Sequence, residues 1–200
     1  MNPANCIGCK KFPCQDMNHK AYSIPSIEFD SEKVQMMMIS EVAPVNPGDY
    51  YYASEEAPLF QQTTLLAFQD AGVPVRSFQD ILKKGIYFTT AVKCGKTGYG
   101  VSTDTITECS LLLEKELELF PHLKTIMLMG DVAIKSLNYI AKRQGEPRVI
   151  PTGSTCKIRG GVFSYKGIRV YPSYLQAGPS FFIEKSKRRM IAEDIHKAMA

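Results

Sequence analysis

Ile86–Phe120 reads IYFTTAVKCGKTGYGVSTDTITECSLLLEKELELF, and its three parts obey different periodicities. The apolar run Ile86 to Val92 has strand character and is followed by Cys94. A Gly-rich loop breaks the pattern, and Leu113, Leu117 and Phe120 then recur at helical spacing, with Cys109 one turn inside that segment. Strand, loop and helix therefore follow one another with a thiol on each side of the break. The loop is the expected working surface.

The same alternation extends outward in both directions. Upstream, Val34–Ile39 (VQMMMI) is a nearly continuous apolar run that suits a strand buried on both faces, with an exit loop from Ser40 to Tyr52. Gln61–Ala71 reads as a helix closed by Gly72, and Ser77–Lys84 as a second helix opened by Ser77 and closed by Gly85. Downstream, Leu123–Met129 is another buried strand, and Asp131 is expected to cap a helix that runs through Ala141. Val149–Tyr171 alternates and holds several glycines, so it reads as a hairpin feeding a last strand, Ile168–Tyr171, which Pro172 should end. Phe181–Met199 reads as one surface helix with a basic start.

Strands alternating with helices, with both faces of each strand apolar, predict a three-layer α/β/α sandwich around a short, mainly parallel four-stranded sheet. Ligands of such sheets bind beyond the carboxyl ends of the strands, here the loops beginning at Ser40, Lys93, Gly130 and Pro172. With 44% hydrophobic residues, 200 residues suffice for one core, so residues 1–200 are expected to form a single domain. A net charge of +4 permits a polyanionic partner without demonstrating one. No apolar stretch approaches a membrane span, and MNPANCIGCKK lacks the apolar core of a signal peptide. The expectation is a cytoplasmic monomer.

In a reducing compartment six cysteines point to metal or burial before disulfides. Residues 1–26 have no sustained periodicity, so a metal or docking against the body must order them. Cys6-Ile7-Gly8-Cys9 is a CxxC, able to present two thiolates to one centre. Adding Cys94 and Cys109 would complete a four-thiolate iron-sulfur site that fastens this arm to the central loop. A local zinc site from Cys6, Cys9, Cys14 and His19 is a second option, and plain burial of Cys94 and Cys109 a third.

Taken together, the CxxC, the first strand ending in Ser40-Glu41-Val42-Ala43-Pro44, the central YFTTAVKC and a second cysteine 15 residues on resemble the iron-sulfur branch of the uracil-DNA glycosylase superfamily. Leu128-Met129-Gly130-Asp131-Val132-Ala133 is similar to that family's strand-to-helix element, and Gly167–Tyr174 to its last strand and DNA-facing loop. The resemblance implies a [4Fe-4S] cluster on Cys6, Cys9, Cys94 and Cys109, with zinc as the alternative. It also implies DNA, damaged or single-stranded, bound across the strand ends, and excision of a flipped, deaminated base by hydrolysis of its glycosidic bond.

On that reading Glu41 is the catalytic residue, orienting water or stabilising positive charge on the sugar. Phe60 and Thr90 would meet the base, and Lys93, Lys96, Tyr99, Arg159, Ser173 and Tyr174 would meet the nucleic-acid backbone. Two positions depart from the family pattern. Thr90 stands where the family has a base-reading Asn, and neither Tyr171 nor Leu175 supplies the histidine of its last loop. The alternative function is a non-catalytic iron-sulfur module that binds nucleic acid or a nucleotide.

Overall fold

The computed structural model describes residues 1–200. Its spine is four parallel strands: β2 (Met36–Ala43), β3 (Ile86–Lys96), β4 (Thr125–Met129) and β6 (Ile168–Ser173). Two short antiparallel strands, β1 (Met17–Asn18) and β5 (Phe163–Tyr165), extend the edges, giving the order β1-β3-β2-β4-β6-β5. The sheet thus has six strands where the sequence pattern gives four. β1 is only two residues long, and its register is set by its neighbour β3 rather than by any periodicity of its own.

Both faces of the sheet are covered, as the near-continuous apolar strands require. Side chains alternate between them. Ile39, Tyr87 and Leu128 pack on one face with α3 (Thr103–Glu118) and α4 (Asp131–Arg143), through Leu113, Leu137 and Ile140. Met38, Phe88 and Met127 pack on the other with α1 (Leu59–Asp70), α2 (Phe78–Leu82) and α7 (Lys185–Met199), through Phe68, Ile81, Ile191 and Ile195. The result is the expected three-layer sandwich.

Several boundaries move for identifiable reasons. β2 runs on to Ala43, so Ser40 and Glu41 lie inside a strand and not in a loop. Pro172 does not end β6, because β5 pairs only with Ile168 to Val170 and nothing there needs its missing N–H. Gly130, and not Asp131, is the N-cap of α4. A short helix, α5 (Thr155–Ile158), precedes the hairpin, and the terminal helix is split at Glu184 into α6 (Ser180–Ile183) and α7.

The arm at residues 1–26 is held by protein contacts of its own. Met17 and Asn18 pair with Lys96 and Gly95, and the Ser23 amide donates to the Lys93 carbonyl at 2.7 Å. Asp16 accepts from the Ser102 amide at 2.8 Å and from the Thr105 hydroxyl, tying the arm to the start of α3. No helix is long and apolar enough to cross a membrane.

Candidate functional site

The connections run from β2 out to β3, then back across to β4, so the direction of winding reverses between β2 and β4. At such a reversal the loops leave the sheet in opposite directions and open a crevice above the strand ends. Glu41 sits there. Its Oε1 accepts from the Val132 amide at 3.3 Å, placing the carboxylate at the amino end of α4, where the helix dipole favours negative charge. Gly130 makes the approach possible: its φ is +108°, and a Cβ on it would lie 2.6 Å from the Glu41 side chain. Glu41 is half-buried and braced, not a freely solvated carboxylate.

Beside this point, on the α1 face, the strand ends are filled. Ser40 and Thr90 are register partners on adjacent strands and both are fully buried. The Ser40 hydroxyl bonds the Tyr51 hydroxyl at 2.9 Å, and Gln176 Nε2 donates to the same oxygen at 2.8 Å. Tyr51 is itself fully buried and packs against Phe60 with ring centroids 5.2 Å apart. Two polar atoms in this layer, Thr90 Oγ1 and Gln176 Oε1, have no partner. Burial pushes the Tyr51 hydroxyl well above its usual range, against the opposing effect of its hydrogen bonds, so it stays neutral.

Several side chains expected at a nucleic-acid surface are spent inside the protein. Lys93 is fully buried. Its Nζ pairs with the Glu116 carboxylate and donates to Thr89 Oγ1 at 2.8 Å and to the Thr90 carbonyl at 2.5 Å. Tyr87 and Thr89 each donate to Glu116 Oε1 at 2.7 Å, completing the shell of a buried carboxylate. Ser173 is buried and donates to Asp194 at 2.6 Å, and Arg159 bridges Asp194 and Glu193 at 2.9 and 2.8 Å. Burial raises the Asp194 pKa, opposed by Arg159 and Ser173. Phe60 belongs to the core. Sequence position alone put Lys93 at the start of the loop, but the strand runs on to Lys96 and its alternation turns Lys93 inward, beneath α3.

Lys96, Tyr99 and Tyr174 do lie where solvent reaches them. Tyr99 is fully exposed in the β3–α3 loop, and Lys187 stands over the Tyr174 ring at 5.4 Å from its centroid. A recess of about 460 Å³ along the outer side of α4 adds a second polar surface, one without any motif to mark it. Lys135, Lys142 and Arg148 line it with one carboxylate, Glu146.

The thiols divide into two sets. Cys94 and Cys109 are buried together with Met17, Val92 and Ile106, and Cys14 packs against this group. Cys9 is close enough to all three to raise their pKa values electrostatically. Burial, reinforced by the neighbouring sulfurs, pushes Cys94 up to about 12. Cys109 rises to about 11, mainly through burial and against the opposing influence of Lys93. As free thiols these are protonated and poor nucleophiles. Cys6 is exposed, with only the Asn2 carbonyl at 3.8 Å, and Cys156 is exposed as well. No three His, Cys, Asp or Glu side chains converge on a single-ion position. The ring of His19 is turned to the Cys14 carbonyl, at 2.5 Å from Nε2.

Fold and site together define an α/β sandwich with a braced carboxylate at its winding reversal and a gathering of four thiols beside its central loop. No protein-family model and no curated protein matches the chain. Among solved structures it is similar to the wild-type UNG of Nitratifractor salsuginis, at 11% identity and a TM-score of 0.42, over 83% of this chain and 74% of that one. Likeness at this level is one of general outline.

Proposed function

We propose that the chain is a nucleic-acid-binding protein with a glycosylase-like layout that does not excise bases, its arm fastened by a [4Fe-4S] cluster. The observation that carries this reading is the filling of the strand ends. A flipped base needs an open pocket with a matched donor and acceptor on its Watson-Crick edge. Thr90, Tyr51 and Phe60 are instead buried side chains of a packed layer. Binding is supported by the exposed Tyr99, the half-buried Lys96 and Tyr174, and the cations beside α4, which suit phosphates better than bases. Single-stranded DNA is the preferred ligand on this reading, because the exposed Tyr99 offers a ring on which an unpaired base stacks. The protein acts as a cytoplasmic monomer.

The braced Glu41 favours one competing reading, excision of a damaged base with Glu41 as the catalytic carboxylate. Single-turnover assays on DNA containing uracil, hypoxanthine, xanthine or ethenocytosine separate the two. No release of any base, with DNA retained equally by the parent and by Glu41→Gln, is the expected outcome. Release that falls with Glu41→Gln by about a hundredfold or more, in the range of a lost electrostatic stabiliser, would establish the enzyme instead.

A further inference from the structure

We infer that the cluster's fourth ligand is Cys14, so that Cys9, Cys14, Cys94 and Cys109 hold it and the first cysteine of the CxxC, Cys6, is left out. This rests on the proposal that the chain carries a cluster at all, and it changes the ligand set that the sequence resemblance implies.

Three observations bear on it. First, Cys9, Cys14 and Cys109 line one chamber of about 400 Å³ between the arm and α3, and Cys94 lies against Cys109 in the buried group behind it. Cys6 is not part of that lining and is exposed. Second, the chain between Cys9 and Cys14 bends at Phe12. Phe12 has φ +44°, a left-handed conformation that costs a non-glycine residue free energy, and its amide donates to Cys9 Sγ at 3.3 Å. Amide hydrogen bonds of this kind stabilise sulfurs that carry negative charge, which a cluster ligand does and a free thiol does not. Third, Lys10, Lys11 and Lys115 ring the chamber, with Glu108 the only carboxylate among its lining residues. Four thiolates around a cluster leave net negative charge, and these cations oppose it.

The same arrangement explains why no three ligands point at one position. A single zinc ion draws its ligands to a point, whereas a cubane is gripped from its corners by thiolates standing apart. Phe12 and Tyr22, in edge contact at 5.0 Å, pack against the buried Cys94 and Cys109 from the arm, and Met17, Val92 and Ile106 bury the same pair. Water is thereby kept from two of the four sulfurs.

The test is iron and acid-labile sulfide per chain, with the visible absorbance, in full-length protein purified without oxygen. The parent, Cys6→Ala, Cys14→Ala, Cys94→Ala and Cys156→Ala are compared. About four irons per chain are expected in the parent, in Cys6→Ala and in Cys156→Ala, with loss of most iron in Cys14→Ala and Cys94→Ala. Because Cys14→Ala could lose iron by failing to fold, alkylation of the native parent with iodoacetamide gives an independent readout. Cys6 and Cys156 should be labelled and the other four protected until the iron is chelated. Iron kept in Cys14→Ala but lost in Cys6→Ala, or Cys6 protected and Cys14 labelled, overturns the ligand set while leaving the cluster in place. A parent that binds no iron, or binds zinc in its stead, overturns both the ligand set and the cluster.

Discussion

Lys93 and Glu116 form an ion pair wholly removed from water, and its energetics are set by the completeness of its shell. Every proton of the ammonium and both carboxylate oxygens are engaged by Thr89, the Thr90 carbonyl, Tyr87 and each other. Removing one partner strands a buried charge, so Lys93→Met alone should lower unfolding stability by about 3–5 kcal/mol, whereas Lys93→Met with Glu116→Leu should recover most of that loss. Denaturant titration of the two single variants and the double variant measures this. If the single and double variants are equally unstable, the pair is not what holds β3 to α3. Gly130 supplies a second residue-scale prediction. With φ +108° and Glu41 occupying the space of a Cβ, Gly130→Ala should cost about 2 kcal/mol or more, and thermal melting would detect it. Neither feature was visible in the sequence. Lys93 reads there as a loop-edge cation, and only the strand's alternation, continued one residue beyond Val92, reveals that it points inward.

Among the elements, the long apolar strands and amphipathic helices were legible because their periodicity extends over enough residues to define a face. Ile86–Val92, Leu123–Met129 and the helix carrying Leu113 and Leu117 all fall where the pattern puts them. The arm was not, since β1 is shaped by tertiary contact. Its principal tie is Asp16, whose carboxyl is held below the usual carboxylate range. Partial burial acts to raise it, but hydrogen bonds from Thr105 and Ser102 prevail. A lowered folded-state value means these bonds stabilise the docked arm fully above the ordinary carboxylate pKa of about 3.9, and that this contribution disappears as pH falls through the lowered value. Asp16→Asn should remove it at neutral pH as well. Hydrogen-exchange protection of the Asn18 amide, corrected for intrinsic rate, is expected to fall roughly tenfold, the lower end of what hydrogen bonds to a charged acceptor contribute. Unchanged protection would mean that the strand pairing alone holds the arm.

For the molecule as a whole, the order of strands and helices predicted the layers, and the reversal of winding between β2 and β4 explains why Glu41, Gly130 and Val132 meet. The site was less legible than the fold, for a physical reason. Motif order places residues along the chain, but whether Thr90, Phe60, Arg159 or Ser173 faces a ligand or another helix is decided by packing at the strand ends, to which Tyr51, Gln176 and Asp194 contribute from distant segments. On the proposed reading, Lys96, Tyr99 and Tyr174, which solvent still reaches, serve backbone binding. The decisive measurement is the affinity of the protein for a single-stranded oligonucleotide across a range of salt concentrations. For a backbone-binding protein, log K should fall linearly with log salt, by about 0.7 per phosphate neutralised, with the base sequence making little difference. Absence of binding at low salt, or an affinity that ignores salt and depends on a single damaged base, would contradict backbone binding.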